Sequence, residues 1–399
     1  MAGGFYTNLM ATVGRRAHRA LAFLMSFDET SSFNNLLDAG VKCCRNGRWK
    51  PSVQTFEMTL LRNTARSRKR LLDGSYKPQK TNDFLLCERG KWRVIRAHNI
   101  RDRQVYKSFC EHDLKPTINN KIMTNNSASQ EGKGTDHSIK LFRQGLAKAT
   151  RKWGKDFYVI TADDHNYFGS IPHDAINASI TFSDAKSQNL INQYVDIFKG
   201  DCGIGIGGEP SQDIAVVYQS KVDRMLACEP CVLASGRYMD DMWAICHTKE
   251  EARRVLEKII QVSEMLGLVL NMKRTRISYM KTDSVLWLKK RTFIDDNGKI
   301  IMQLSRKNVT DKIKQLYYQK EKVDAGEMPI RVAFDSMQCW CSYAVKYKSR
   351  KQMIRVVKVF MELFDVPWDV TKLLFKRRNK GWIKICEQRL LLYGIKSAR

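Results

Sequence analysis

The chain lacks an apolar run long enough to cross a membrane; none reaches the roughly 18 residues that a spanning helix needs. The first 27 residues place Arg15, Arg16, His18 and Arg19 ahead of Ala20-Leu21-Ala22-Phe23-Leu24-Met25. That apolar run is short for a secretory signal and has no clean cleavage site. It reads as an amphipathic helix, and the protein as cytoplasmic. Metal-ligating cysteine spacing is also missing. Eleven cysteines are scattered along the chain, with one CxxC (Cys228, Cys231) and one CxC (Cys339, Cys341). A structural zinc site would need a second spaced pair or nearby histidines, so buried or free thiols in a reducing compartment are expected. Internal repeats and low-complexity tails are absent. Acidic charge is the scarce sign: 41 Asp and Glu stand against 69 Lys and Arg, a net charge of +28. Such an excess suits a polyanionic partner. Nucleic acid is the first candidate and an anionic membrane the second. The 399 residues, 43% of them hydrophobic, suffice for a large core in two or three subdomains.

Two adjacent acids between two apolar runs organise the rest: Ser235-Gly236-Arg237-Tyr238-Met239-Asp240-Asp241-Met242-Trp243-Ala244-Ile245. The alternation is that of a strand or tight hairpin. Two carboxylates at such a turn can hold a hard divalent cation, although Asp-Asp alone is also an ordinary turn signal. A third acid ends the run Phe157-Tyr158-Val159-Ile160-Thr161-Ala162-Asp163, which reads as a buried strand. An Asp at the end of a core strand is costly unless it is paired or binds metal.

Around these acids, residues 28–80 read as helical and basic. The segment Trp49 to Leu72 reads as one apolar-periodic helix carrying Arg62, Arg66, Arg68, Lys69 and Arg70. Asn82 to Ile95 reads as a β-hairpin with a Gly-containing turn, and Arg101-Asp102-Arg103 opens a helix. Glu131-Gly132-Lys133-Gly134-Thr135 is a Gly-rich turn without the spacing of a phosphate-binding P-loop. Cys202 to Gln212 is a second Gly-rich turn, followed by an apolar helix through Met225. Thr248 to Glu251 is a capping box, and the helix it opens stops at Gly267. The C-terminal part is basic and mostly helical, with clusters at Lys346–Arg355 and Lys376–Lys380.

In this order the segments resemble the motifs of prokaryotic, group II intron-like reverse transcriptases, over roughly residues 40–360. Tyr238-Met239-Asp240-Asp241 resembles their catalytic signature. Asp163 followed by Phe168-Gly169-Ser170-Ile171 and His173-Asp174 resembles their first catalytic motif. The form Ile206-Gly207 with Ser211-Gln212 resembles enzymes of diversity-generating retroelements and of bacterial defence. The resemblance implies an α+β right-hand polymerase with fingers, a palm of antiparallel sheet plus helices, and a helical thumb. Its implied bounds are a basic helical region at 1–80, fingers at 81–156, palm with part of the fingers at 157–304, thumb at 305–362 and a basic extension at 363–399. That extension is too short for an added nuclease domain, and it carries no His-Asn-His pattern.

The resemblance also implies roles. Asp163, Asp240 and Asp241 are the catalytic acids and would hold two Mg²⁺ ions, or Mn²⁺, with the Asp164 backbone as a further ligand. Lys91, Arg93, Phe168, Gly207, Gln212 and Lys273 would surround the incoming dNTP. Phe168 falls at the steric gate against a ribose 2′-hydroxyl. Arg274 stands where the family commonly has a lysine; Arg is a poor proton donor, so Lys273 is the better candidate for that proton. Trp287 and Leu288 fall at the primer grip. Arg66, Arg68, Lys69, Arg70, Lys348, Arg350, Lys351, Arg377 and Arg378 would meet nucleic acid. The implied partners are a dedicated non-coding or template RNA, the DNA product or RNA–DNA duplex, and dNTPs, with no membrane. A homo-oligomer and an accessory protein are both compatible with the sequence. The biological reading is antiphage defence, with mutagenic retroelement homing as the alternative and a maturase-like RNA-binding protein as a third.

Overall fold

The structure, a computed structural model, describes residues 26–366 except Arg89 and the side chains of Ser26, Glu88 and Lys91. The amphipathic helix expected before Phe27, the Lys91 side chain, and the Lys376–Lys380 cluster with Arg377 and Arg378 lie outside the described residues. The chain divides into two compact units, Met1–Gly145 with Ile160–Ile277 and Leu146–Val159 with Ser278–Arg399. Among the described residues no helix is long and apolar enough to cross a membrane.

The first unit begins with helices at Ser26–Ser31, Phe33–Cys44, Pro51–Met58 and Leu60–Leu72. The expected single helix over Trp49–Leu72 is therefore two, broken at Thr59, whose backbone leaves the helical region (φ −112°, ψ 22°). Packing explains the break. Val53 and Phe56 are buried and Leu60 packs against them, but Met58 and Leu61 are 87% and 63% exposed. The second helix turns Asn63, Thr64, Ser67 and Leu71 inward, which leaves Arg62, Arg66, Arg68, Lys69 and Arg70 on the outer face.

The expected hairpin forms from β1 (Asn82–Glu88) and β2 (Lys91–Ala97), with Gly90 at φ +77° in its turn. Strand β2 runs against the second Gly-rich turn, where Arg96 N donates to Ile206 O at 2.9 Å. Gly207 there has φ +131°, and a Cβ on it would lie 2.7 Å from Arg96 O. Only glycine fits this approach.

A four-stranded sheet in the order β4-β5-β3-β6 carries the acids. Its strands are β3 (Tyr158–Asp163), β4 (Ala234–Tyr238), β5 (Asp241–Cys246) and β6 (Arg276–Tyr279). Trp243 on β5 is 2% exposed and lies across from Gly236 on β4. A Cβ on Gly236 would come 2.8 Å from the indole nitrogen, so the bulky ring needs the bare backbone opposite it. Phe142 meets the same indole edge-on, with ring centroids 5.1 Å apart. Behind the sheet the expected continuous helix is again two, Glu209–Tyr218 and Ser220–Cys228, interrupted at Gln219. The capping box forms: Glu251 N donates to Thr248 Oγ1, and the Glu251 carboxylate receives Thr248 N. The helix ends at Met265, with Gly267 at φ +70°.

In the second unit, β7 (Val285–Trp287), β8 (Lys290–Ile294) and β9 (Ile300–Leu304) form an antiparallel three-stranded sheet. Helices Arg306–Asp324, Ile330–Val345 and Arg350–Phe364 follow. The turn between β7 and β8 uses Leu288 and Lys289, both at positive φ (44° and 67°). That is the backbone of a two-residue hairpin matched to strand twist.

Candidate active site

Strand β3 ends at Asp163, and the two-residue turn Met239-Asp240 joins β4 to β5, with Tyr238 opposite Asp241. The carboxylates of Asp163, Asp240 and Asp241 converge, each offering an oxygen within 4.8 Å of the others. Asp163 is 6% exposed. Burial raises the Asp241 carboxyl to about 7, helped by the charges of Asp240 and Asp163. Burial, with the Asp163 charge, also raises Asp240. The three crowded acids form an oxygen-only donor set that fits hard divalent cations.

The neighbour Asp164 faces the other side of the strand, as strand alternation requires. Its buried carboxylate accepts from Gln219 Nε2 at 2.6 Å, and burial pushes it up to about 7. The helix break at Gln219 places that amide against the strand end.

A basic side chain also reaches the acids. Arg274 Nη1 donates to Asp163 Oδ2 at 2.9 Å while the Arg274 side chain stays 54% exposed. Asn271 backs the same strand end, its backbone N donating to Asp163 O at 2.7 Å. Lys273, the expected proton donor, is exposed; the residue at the acids is its neighbour.

The other expected site residues are more dispersed. Phe168 is half-buried in the turn Tyr167–Ser170, with Tyr167 edge-on at 5.9 Å. Arg93 is exposed on β2 opposite Leu86. Gly207 has the packing reason given above. Gln212 is exposed on the helix Glu209–Tyr218 and accepts from Ser129 Oγ at 3.5 Å. Gln212 and Gly207 line a cavity of about 440 Å³ together with His98, Arg103, Lys107 and Lys115. Trp287 is 2% exposed and packs inward, whereas Leu286 beside it is 59% exposed. Lys346, Lys348, Arg350, Lys351 and Arg355 are all exposed.

A second carboxylate-bearing group, Cys110 with Glu209 and Asp213, lies elsewhere in the first unit. Glu209 is already neutralised there by Lys107 and Lys115, at 3.0 and 2.7 Å. A metal would have to displace two ion pairs, so this group reads as packing. The ten described cysteines are free thiols.

Sequence reasoning missed the support beneath the turn. Arg237 is 1% exposed and forms a two-pronged ion pair with Asp223, at 2.9 and 2.8 Å. It also donates to the carbonyls of Val216 (2.6 Å) and Met239 (3.0 Å). An Arg as the single charged residue of the strand Ala234–Tyr238 is the one available signal, since a buried guanidinium demands a partner.

No curated protein matches the sequence. Among solved structures, the chain is similar to an apo telomerase from Candida tropicalis truncated from its C-terminal domain, at 12% identity and a TM-score of 0.42. The match covers 55% of this chain and 54% of that one, so the chain spans about half the length of the structure it matches. Residues 77–316 match the family described as reverse transcriptase (RNA-dependent DNA polymerase), and the chain belongs to that family of nucleotidyltransferases, with its α+β polymerase fold.

Proposed function

We propose that this protein copies a dedicated non-coding RNA into DNA, in the cytoplasm of a bacterium, as part of antiphage defence. The observation that carries the chemistry is the convergence of Asp163, Asp240 and Asp241 within 4.8 Å, inside the span that matches the family. These acids would hold two Mg²⁺ ions, which would lower the pKa of a primer 3′-hydroxyl and stabilise the leaving pyrophosphate. Arg274, ion-paired to Asp163, adds positive charge where a triphosphate would approach, and it stays charged at every working pH. Lys273, exposed beside it, is available to a departing pyrophosphate. Phe168 would bar a 2′-hydroxyl. Leu288 and the exposed Leu286 are better placed than the buried Trp287 to touch a primer strand.

The domain reading follows the motif order: fingers over 81–156, palm over 157–304, thumb over 305–362. The exposed arginines and lysine at 66, 68, 69 and 70 and the basic residues 346–355 supply the charge for an RNA scaffold and a duplex. This outlay of basic surface before residue 80 favours a structured RNA partner and tilts the reading toward defence. The enzyme chemistry is tested by supplying primed heteropolymeric RNA with dNTPs and sequencing the product; a product that does not complement the RNA contradicts it. The role is tested by phage plating on cells carrying the gene with its flanking DNA. Protection that disappears in Asp240→Asn with Asp241→Asn supports defence. Equal plaque counts over a broad phage panel, or near-identical repeats beside the gene that differ mainly at adenines, would move the reading to mutagenic homing.

A further inference from the structure

The turn that carries Asp240 and Asp241 is strained. Met239 sits at φ +56°, in the left-handed region that a non-glycine side chain disfavours by roughly 1–2 kcal/mol. Such a conformation persists when its surroundings over-determine it. Here the two-residue hairpin closed by Tyr238 and Asp241 calls for a positive φ at Met239, and one side chain adds to what holds it. Arg237 Nη1 donates to the Met239 carbonyl at 3.0 Å. That carbonyl belongs to the peptide joining Met239 to Asp240, and because a peptide is planar, fixing its oxygen fixes the direction in which Asp240 leaves the turn. The guanidinium is itself immobilised from two helices. Asp223 on Ser220–Cys228 takes its Nε and Nη2, and Val216 on Glu209–Tyr218 takes Nη2. The Arg237 backbone is held as well, its N donating to Asn125 O at 3.3 Å and its O accepting from Ser127 N at 3.1 Å.

A buried ion pair is a weak device for stability alone, since well-packed apolar groups often serve as well or better. The Arg237–Asp223 pair is fully buried, at 0% and 1% side-chain exposure. Its geometry accounts for it differently: the guanidinium makes four directed hydrogen bonds, three to the two helices and one to the carbonyl of the strained turn, which an apolar replacement cannot reproduce. We propose that Arg237, clamped by Asp223, is a positioning residue that sets the Met239–Asp240 peptide, and thereby holds the Asp240 and Asp241 carboxylates toward Asp163 for divalent-cation binding. This rests on the two-metal reading above. Gln219, which grips Asp164 from the break between the same two helices, places the end of β3 on the same platform.

The test uses the full-length protein and Mn²⁺ as a spectroscopic probe, titrated by electron paramagnetic resonance without nucleic acid. Removing one partner alone leaves a buried charge, so the main variant is the double Arg237→Met with Asp223→Leu, accompanied by Arg237→Lys. Circular dichroism and cooperative unfolding check the fold of each. The folded double variant should bind Mn²⁺ about 10- to 100-fold more weakly, the range seen when groups orienting metal ligands are lost. Its Mg²⁺ activation curve should shift by a similar factor, and kcat should fall while KM for dNTP changes little. Arg237→Lys keeps the charge but loses the fork, and should fall between wild type and the double variant. A folded double variant with wild-type Mn²⁺ affinity and Mg²⁺ activation overturns the proposal. Should the double variant not fold, wild-type Mn²⁺ affinity in Arg237→Lys overturns it equally. Wild-type protein that binds Mn²⁺ yet copies no RNA would sink the functional reading, and the Arg237 comparison would still be decided, because metal binding is read without catalysis.

Discussion

Replacing one of the three clustered carboxylates should make the metal-free protein more stable. Asp241 is held at about 7 against an ordinary value of 3.8, first by burial and then by Asp240 and Asp163. A carboxyl raised in the folded state binds its proton more tightly there than in the unfolded chain. Its contribution to stability is therefore complete below about pH 3.8 and is lost as pH rises through about 7. At pH 8 the group is ionised in both states, and a raise of this size corresponds to about 4 kcal/mol at most, or about 2–4 kcal/mol allowing for its partial exposure. Asp241→Asn carries no charge at any of these pH values and escapes the loss. Chemical unfolding in EDTA at pH 8 should show the variant more stable than wild type by about 2–4 kcal/mol, with the gap closing toward pH 5. Saturating Mg²⁺ should narrow the gap at pH 8, because only the intact acid set gains the full binding energy; at a hundred times the dissociation constant that gain is about 2.7 kcal/mol. Asp241→Asn less stable than wild type at pH 8 in EDTA would refute the claim that the acids are crowded against one another.

Two further outcomes follow from the placement of other residues. Phe168→Ala should raise the use of rNTP relative to dNTP by about 10- to 100-fold, measured as a ratio of kcat/KM values; an unchanged ratio assigns the half-buried ring to packing with Tyr167. RNA affinity should fall steeply with salt, and changing Arg66, Arg68, Lys69 and Arg70 together to Ala should flatten the slope of log affinity against log salt by about 3 if all four meet phosphates. A slope unaltered by the four substitutions would remove that helix from the RNA interface.

The acids were legible in the chain because each sits at a break between strong local patterns. Phe157–Ala162 is an unbroken apolar and β-branched run, so the acid that ends it stands out. Tyr238 to Met242 has the alternation of a strand or tight hairpin, and the hairpin forms. The same local logic gave the β1–β2 hairpin and the capping box at Thr248. It failed where a distant partner decides. The apolar spacing from Val53 to Leu61 suggests one helix, yet Met58 and Leu61 stay exposed and the helix breaks at Thr59. The run after Pro210 also reads as one helix, but Gln219 leaves the helical path to serve Asp164 across 55 residues of chain. Arg237 and Asp223 lie 14 residues apart on a strand and a helix, a separation that no periodicity connects. Proton chemistry points to Lys273, but it does not show that the neighbouring Arg274 is the side chain that reaches Asp163, which backbone direction decides.

The central claim is tested most directly by dNTP incorporation on a primed RNA template, comparing wild type with Asp240→Asn, Asp241→Asn. Wild type should extend the primer into DNA complementary to the RNA, in a reaction that EDTA stops and Mg²⁺ restores. The double variant should stay folded, by circular dichroism, and incorporate nothing measurable. Synthesis near the wild-type rate by the folded double variant would contradict the account.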